Sequence, residues 1–203
     1  MPKTWLKKHR SDYYYRKAKE EKYRSRAAYK LMHAVRKYRF IKPNDIVVDL
    51  GAAPGGWMQV ASKVVGSQGI VFGIDVKEIE PFEERNACAV VDDINNPDLT
   101  NQLKSILPRS ADVVISDAAP NLTGVWDLDH TRQIDLARRS LQIALALLKP
   151  DGNFFVKTFQ GDLIRDFREE MKHHFVRVEI IKPPASRARS AEIYLLGLCL
   201  NAK

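Results

Sequence analysis

From residue 45 onward, short apolar runs alternate with amphipathic stretches, and that alternation leaves few architectures open. DIVVDL (45–50), GIVFGID (69–75), ACAVV (87–91), ADVVISD (111–117), GNFFVKTF (152–159), FVRVEII (175–181) and EIYLLGLCL (192–200) read as strands. Helices are predicted over about 57–65, 97–107, 131–148 and 162–172. The third of these places Ile134, Ala137, Leu141, Ala144, Leu145 and Leu148 on one face and stops at Lys149-Pro150-Asp151-Gly152. Strands alternating with helices imply an α/β fold with a mostly parallel sheet and helices on both faces. Only the loop KPPASRARSA (182–191) separates the last two strands, which predicts one antiparallel strand near the C-terminus of a seven-stranded sheet.

Upstream, RSRAAYKLMHAVRKYR (24–39) reads as a helix with Ala27, Leu31, Val35 and Tyr38 at helical spacing. The organisation expected is a basic N-terminal arm over 1–23 followed by a single domain over 24–203, a length that supports one full core. Residues 1–40 hold 14 Lys and Arg against the three acids Asp12, Glu20 and Glu21, so the overall charge of +8 comes from this segment. A basic arm interleaved with Tyr13, Tyr14 and Tyr15 suits RNA, whose bases stack on rings and whose phosphates meet cations; the plain alternative is a solvated tail. DNA is not the expected partner. A membrane is not expected either, because no apolar run approaches the length needed to cross a bilayer. The N-terminal MPKTWLKKHR lacks the features of a secretory signal, which makes the cytoplasm the expected compartment. Cys88 and Cys199 each lie in an apolar run and are expected to be buried free thiols.

The first strand ends in Asp49 and runs into the turn Gly51-Ala52-Ala53-Pro54-Gly55-Gly56-Trp57, where small residues let the backbone approach a ligand. The second strand ends in Asp75, 24 residues after Gly51, where a carboxylate can accept hydrogen bonds from a ribose. A nicotinamide site shares these features, but its fingerprint G-x-G-x-x-G is broken here by Ala53, and Pro54 removes an amide that could face a pyrophosphate. The acid Asp49 suits the cationic amino-acid end of S-adenosyl-L-methionine and disfavours a pyrophosphate. Asp93 and Ile94, after the third strand, are candidates for an adenine amino group and ring face; an ordinary helix N-cap is the competing reading for Asp93.

At DLGAAPGGW (49–57) the sequence resembles the FtsJ family of ribosomal RNA 2′-O-methyltransferases. SDAAPN (116–121), FVKTFQG (155–161), SRARSAEIY (186–194) and RSRAAYKL (24–31) carry the same resemblance, in order, from about residue 24 to the end. The resemblance implies a Rossmann-like class I methyltransferase fold, which the seven strands with a terminal reversal also match. It implies S-adenosyl-L-methionine as methyl donor and a catalytic tetrad of Lys30, Asp117, Lys157 and Glu192. It further implies cofactor contacts at Gly55, Trp57, Asp75, Asp93 and Asp117, to which the strand-end reading adds Asp49, Gly51, Gly56 and Ile94. Large-subunit ribosomal RNA, at a uridine of the A-loop, is the substrate so implied; the transfer RNA anticodon loop is the alternative. A non-catalytic RNA-binding protein that keeps the fold is the reading from another class. The acid-poor, Tyr-rich arm departs from the family pattern. The C-terminal RNA-binding extension that some archaeal relatives carry is not expected here.

Lys157 stands out even without the resemblance, because it interrupts an apolar strand. Burial disfavours its charged form, as would Lys30 and a sulfonium nearby, whereas Asp117 and Glu192 oppose that shift. A neutral amine could take the 2′-hydroxyl proton, and a charged one could steady the alkoxide; the residues leave both open. Arg24, Arg26, Arg187 and Arg189 flank Lys30 and Glu192 and are candidates for RNA phosphates. No metal is called for. Asp127, Asp129 and His130, like His173 and His174, read as solvated loop residues.

Overall fold

The computed structural model describes residues 13–187 and 189–201. The part of the arm over 1–12 lies outside them; residues 13–20 form helix α1. Then follow α2 (Ala28–Tyr38), β1 (Ile46–Leu50), α3 (Gly56–Val65), β2 (Ile70–Asp75), β3 (Ala87–Val91), α4 (Leu99–Ile106) and β4 (Ala111–Ser116). The chain continues through α5 (Trp126–Leu147), β5 (Leu148–Phe159), α6 (Ile164–Lys172), β6 (Phe175–Ile181) and β7 (Glu192–Leu200).

The seven strands lie in the order β3-β2-β1-β4-β5-β7-β6, and β7 alone runs antiparallel, inserted between β5 and β6. Period-two alternation divides each strand between two cores. Ile46, Val48 and Leu50 of β1 pack with Leu103, Ile134, Leu141 and Phe167 beneath α4, α5 and α6. Val47 faces the other way, with Leu31, Val35, Trp57, Val60, Phe155 and Tyr194 beneath α2 and α3. Strand order reverses between β1 and β4, and in open α/β sheets ligands bind outside the carboxyl ends of strands at such a point.

Several expectations need correction. Both cysteines are exposed: Cys88 sits on the edge strand β3, and Cys199 falls near the end of β7 with φ 58°. Helix α5 starts at Trp126 rather than 131, so Asp127 and Asp129 belong to its first turn and not to a loop. Carboxylates there complement the amide groups at a helix start. Asp129 is buried and accepts from the Thr123 amide (2.7 Å), the Thr123 hydroxyl (2.8 Å) and the Gly124 amide (3.0 Å), so it pins the preceding loop. His130 is also buried, and its Nε2 accepts from the Leu163 amide. Strand β5 begins at Leu148, four residues before the predicted 152, with a register shift opposite Ala111–Val113 that absorbs the turn residues.

Candidate active site

Lys157, near the carboxyl end of β5, is directly opposite Tyr194 of β7, and Phe159 is opposite Glu192. Lys157, Tyr194 and Glu192 therefore emerge on the face that carries α2, from which Lys30 points inward; both lysines are buried. Lys30 Nζ lies 2.7 Å from Glu192 Oε1 and 2.8 Å from Oε2. Lys157 Nζ lies 3.2 Å from Asp117 Oδ1 and donates to the Asp117 carbonyl. The Tyr194 hydroxyl donates to Asp117 Oδ1 (2.9 Å), and its ring lies 5.7 Å from Lys30 Nζ. The four predicted residues thus form two ion pairs with a tyrosine wedged between them.

Tyr194 was not singled out from sequence. Its signal was available, because two residues after Glu192 on a strand means the same face. Ser186, which donates to Glu192 Oε1 (2.8 Å), was missed as well. Gln133 of α5 ties the two strand ends by donating to the carbonyls of Ala118 and Lys157.

Asp117 also reaches the cleft beyond β1, β2 and β4, a space of about 630 Å³. Gly51, Asp75, Asp93 and Ile94 line it, as do Ala53, Asp92, Asn121, Arg132 and Asp135. Gly51 has φ +75°, and a Cβ there would come within 2.6 Å of Ala118 Cα, so a side chain would push the β1 turn off the end of β4. Asp75 Oδ2 accepts from the Ala53 amide and Oδ1 from the Lys77 amide, which holds the turn against the next strand. Asp93 Oδ1 accepts from the amide and side chain of Asn95.

Other predicted cofactor residues do not line this cleft. Trp57 is buried under α2, stacked on Phe155, with its indole N–H given to the Ala27 carbonyl. A Cβ on Gly55 would meet Phe82 and Arg24, and one on Gly56 would meet Ser25, so these glycines admit the crossing of segment 24–25. Asp49 is fully buried beneath the turn, and neither carboxylate oxygen has a hydrogen-bond partner. Burial pushes its carboxyl well above the ordinary range, and Asp117 and Asp75 push it the same way. Burial acts upward on Asp117 too, but Lys157 and Lys30, with hydrogen bonds from Tyr194 and Lys157, outweigh it and hold that carboxyl below the ordinary range. Burial, reinforced by Asp117 and Glu192, drives the Tyr194 hydroxyl well above its usual value, so it remains a donor.

The four arginines separate. Arg24 donates to the carbonyls of Glu80 (2.6 Å) and Pro81 (2.6 Å) and lies 3.9 Å over the Phe82 ring, so it fastens the cofactor-side loop rather than facing outward. Arg26 is partly buried; burial and Arg187 lower its pKa against the pull of Glu192 and Tyr194, which places it with Arg187 at the tetrad. Arg187 and Arg189 are exposed. Among the described residues no cluster of three or more metal-ligating side chains occurs, and no helix is long and apolar enough to cross a membrane.

The sequence matches the FtsJ-like methyltransferase family over residues 23–200. It is 48% identical over 198 residues to a ribosomal RNA large subunit methyltransferase E of Methanocaldococcus jannaschii, covering 96% of this chain and 81% of the relative. A protein of the same name from Methanothrix thermoacetophila is 53% identical over 186 residues, which is 92% of this chain and 71% of the relative. The crystal structure of a ribosomal RNA methyltransferase from Plasmodium falciparum superposes with a TM-score of 0.79 at 29% identity, over 89% of this chain and 100% of that one. This chain belongs to the FtsJ-like methyltransferase family.

Proposed function

We propose that this protein methylates a ribose 2′-hydroxyl of large-subunit ribosomal RNA with S-adenosyl-L-methionine as donor. The observation that carries this reading is the pair of buried ion pairs, Lys30–Glu192 and Lys157–Asp117, joined through Tyr194 at the edge of the cleft that Asp117 also lines. The cleft fits that donor. Asp75, Asp92, Asp93, Asp117 and Asp135 outweigh Lys77 and Arg132 along its walls, an arrangement that favours a cationic ligand and repels a pyrophosphate. S-adenosyl-L-methionine, when bound, supplies an activated methyl group and leaves as the neutral thioether S-adenosyl-L-homocysteine.

The protein then has two tasks: to orient the sugar oxygen and to deal with its proton. Lys157 Nζ, anchored by the Asp117 carboxylate and carbonyl, is the proton acceptor in this reading once its own ammonium proton has left for solvent. Lys30, held by both oxygens of Glu192, positions the hydroxyl, and Ser186 fixes the carboxylate from behind. Asp75 keeps lone pairs free for the ribose of the donor, and Ile94 lies in the cleft wall for its base. Arg26, Arg187 and Arg189 meet RNA phosphates at the mouth, and Arg24 braces the turn. In this reading the target is a uridine of the A-loop and the compartment is the cytoplasm, with the family resemblance and a ribosomal substrate as support.

The test is Lys157→Ala, assayed with labelled donor on large-subunit particles and, separately, on transfer RNA. Methyl incorporation into the large subunit should fall by roughly 10²–10⁴-fold, while RNA binding stays within a few-fold of wild type. A variant that methylates at near wild-type rate, or a wild type that prefers transfer RNA, rules this reading out.

A further inference from the structure

In the loop after Asp117 and the pinned first turn of α5, the chain exposes Leu122 (66%), Val125 (59%), Trp126 (48%) and Leu128 (40%). An apolar group of this kind, immediately beyond the cleft-lining Pro120 and Asn121, is an unusual surface for a polar mouth. Trp126 is not a loose side chain. Its ring stacks on His130 (centroids 5.6 Å, interplanar 6°) and on Phe159 (6.2 Å, 26°). His130 is itself fixed: its Nε2 accepts from the Leu163 amide, and Gly161 closes on the ring so tightly that a Cβ would come within 2.6 Å of Nε2. Asp129, one residue before His130, holds the loop from below with three hydrogen bonds. Phe159 lies two residues beyond Lys157 on the same strand face and opposite Glu192. The indole is therefore held beside the tetrad, supported by aromatic rings, and half open to solvent.

We propose that Trp126, backed by His130 and Phe159, is a stacking platform for an unpaired nucleobase of the RNA, next to the nucleotide whose ribose enters the tetrad. This rests on the function proposed above. A flat π surface fixed in advance is what base stacking rewards, because the ring loses little freedom when the base arrives. The exposed cations Arg187 and Arg189 supply the matching phosphate contacts on the loop that carries Ser186 and leads into Glu192. Stacking also draws a base out of its helix, which lets a buried pair of lysines reach a sugar hydroxyl.

The experiment compares wild type, Trp126→Phe and Trp126→Ala for binding to a short unstructured oligoribonucleotide and to an abasic strand of equal length. With Trp5→Phe as background, leaving buried Trp57 and exposed Trp126, base-containing RNA should quench emission and abasic RNA should not. Trp126→Ala should weaken binding to the base-containing strand by about tenfold and leave the abasic strand unaffected, with Trp126→Phe restoring most of the loss. On large-subunit RNA the alanine variant should raise KM more than it lowers kcat. Equal loss on both strands, no loss on either, or a defect seen only with protein-containing particles would overturn the platform, the last assigning the patch to a protein partner. A wild type that methylates RNA while Trp126→Ala keeps its KM removes the platform alone. A wild type with no methyl transfer removes the proposed function with it.

Discussion

Asp49, near the end of β1 and opposite Ile115, and Asp117, just past the end of the neighbouring parallel strand β4 with its amide on the Leu50 carbonyl, meet opposite fates. Both are withdrawn from water, which by itself disfavours a carboxylate. Asp117 is met by Lys157, Lys30 and the Tyr194 hydroxyl, and its carboxyl is pulled below the ordinary range. Asp49 is met by nothing but the negative charge of Asp117 and Asp75, and its carboxyl is pushed well above that range. The same residue type is thus held as an anion by its partners in one place and pushed toward its protonated form, with no hydrogen-bond partner, in the other. A buried charge at this site is sustained by its partners and not by its place in the fold.

The sharpest way to break the comparison is to remove the charge at Asp117. Asp117→Asn leaves Lys157 buried without its counter-ion, which should cost about 3 kcal/mol and abolish methyl transfer; urea unfolding measures the first. A loss below about 0.5 kcal/mol would mean that the pair is solvated and that the contrast with Asp49 is empty.

Asp49→Asn should do the reverse. For an acid whose folded pKa is raised, the folded state binds more protons than the unfolded chain between its ordinary value, about 4, and the raised one. Stability is therefore lost as pH rises through that window. The amide removes that dependence, so the ligand-free variant should be more stable relative to wild type at pH 7 than at pH 4. For Asp117 the sign is opposite: its contribution is present above the ordinary carboxylate range and is lost as pH falls through the depressed value. Thermal melts of both variants across pH 3–8 should diverge in opposite directions, and parallel curves would refute the assignment.

The smallest effect concerns the arginines, which repeat the contrast at the surface. Arg187→Ala should reduce the log–log salt slope of RNA binding by about one unit with little change in Tm. Arg24→Ala should lower Tm instead, because its donors are occupied by the Glu80 and Pro81 carbonyls. Identical salt slopes in Arg187→Ala and wild type would remove that arginine from the RNA surface.

Much of the architecture was legible in the residues. Apolar runs of strand length, Gly-rich turns and Pro-Gly stops located all seven strands, because period-two burial and turn chemistry are local. The start of α5 was not legible, since Trp126 and Leu128 carry no core-facing periodicity and the helix begins where Asp129 folds back on Thr123 and Gly124. Cys88 was misjudged for a related reason: an apolar run on an edge strand looks like one at the centre.

At the site, the sequence by itself determined which side chains exist for the chemistry: a lysine inside an apolar strand, carboxylates at strand ends, and small residues at the first turn. Only the tertiary structure decided which of them meet. Lys30 and Glu192 stand 162 positions apart and touch because β7 runs antiparallel beside β5 under α2. Asp49 and Trp57, on either side of the turn, do not line the cleft: both are buried, and helix phase sends Trp57 into the core. Charge pairing is a property of distance in space, and a local pattern carries no record of it.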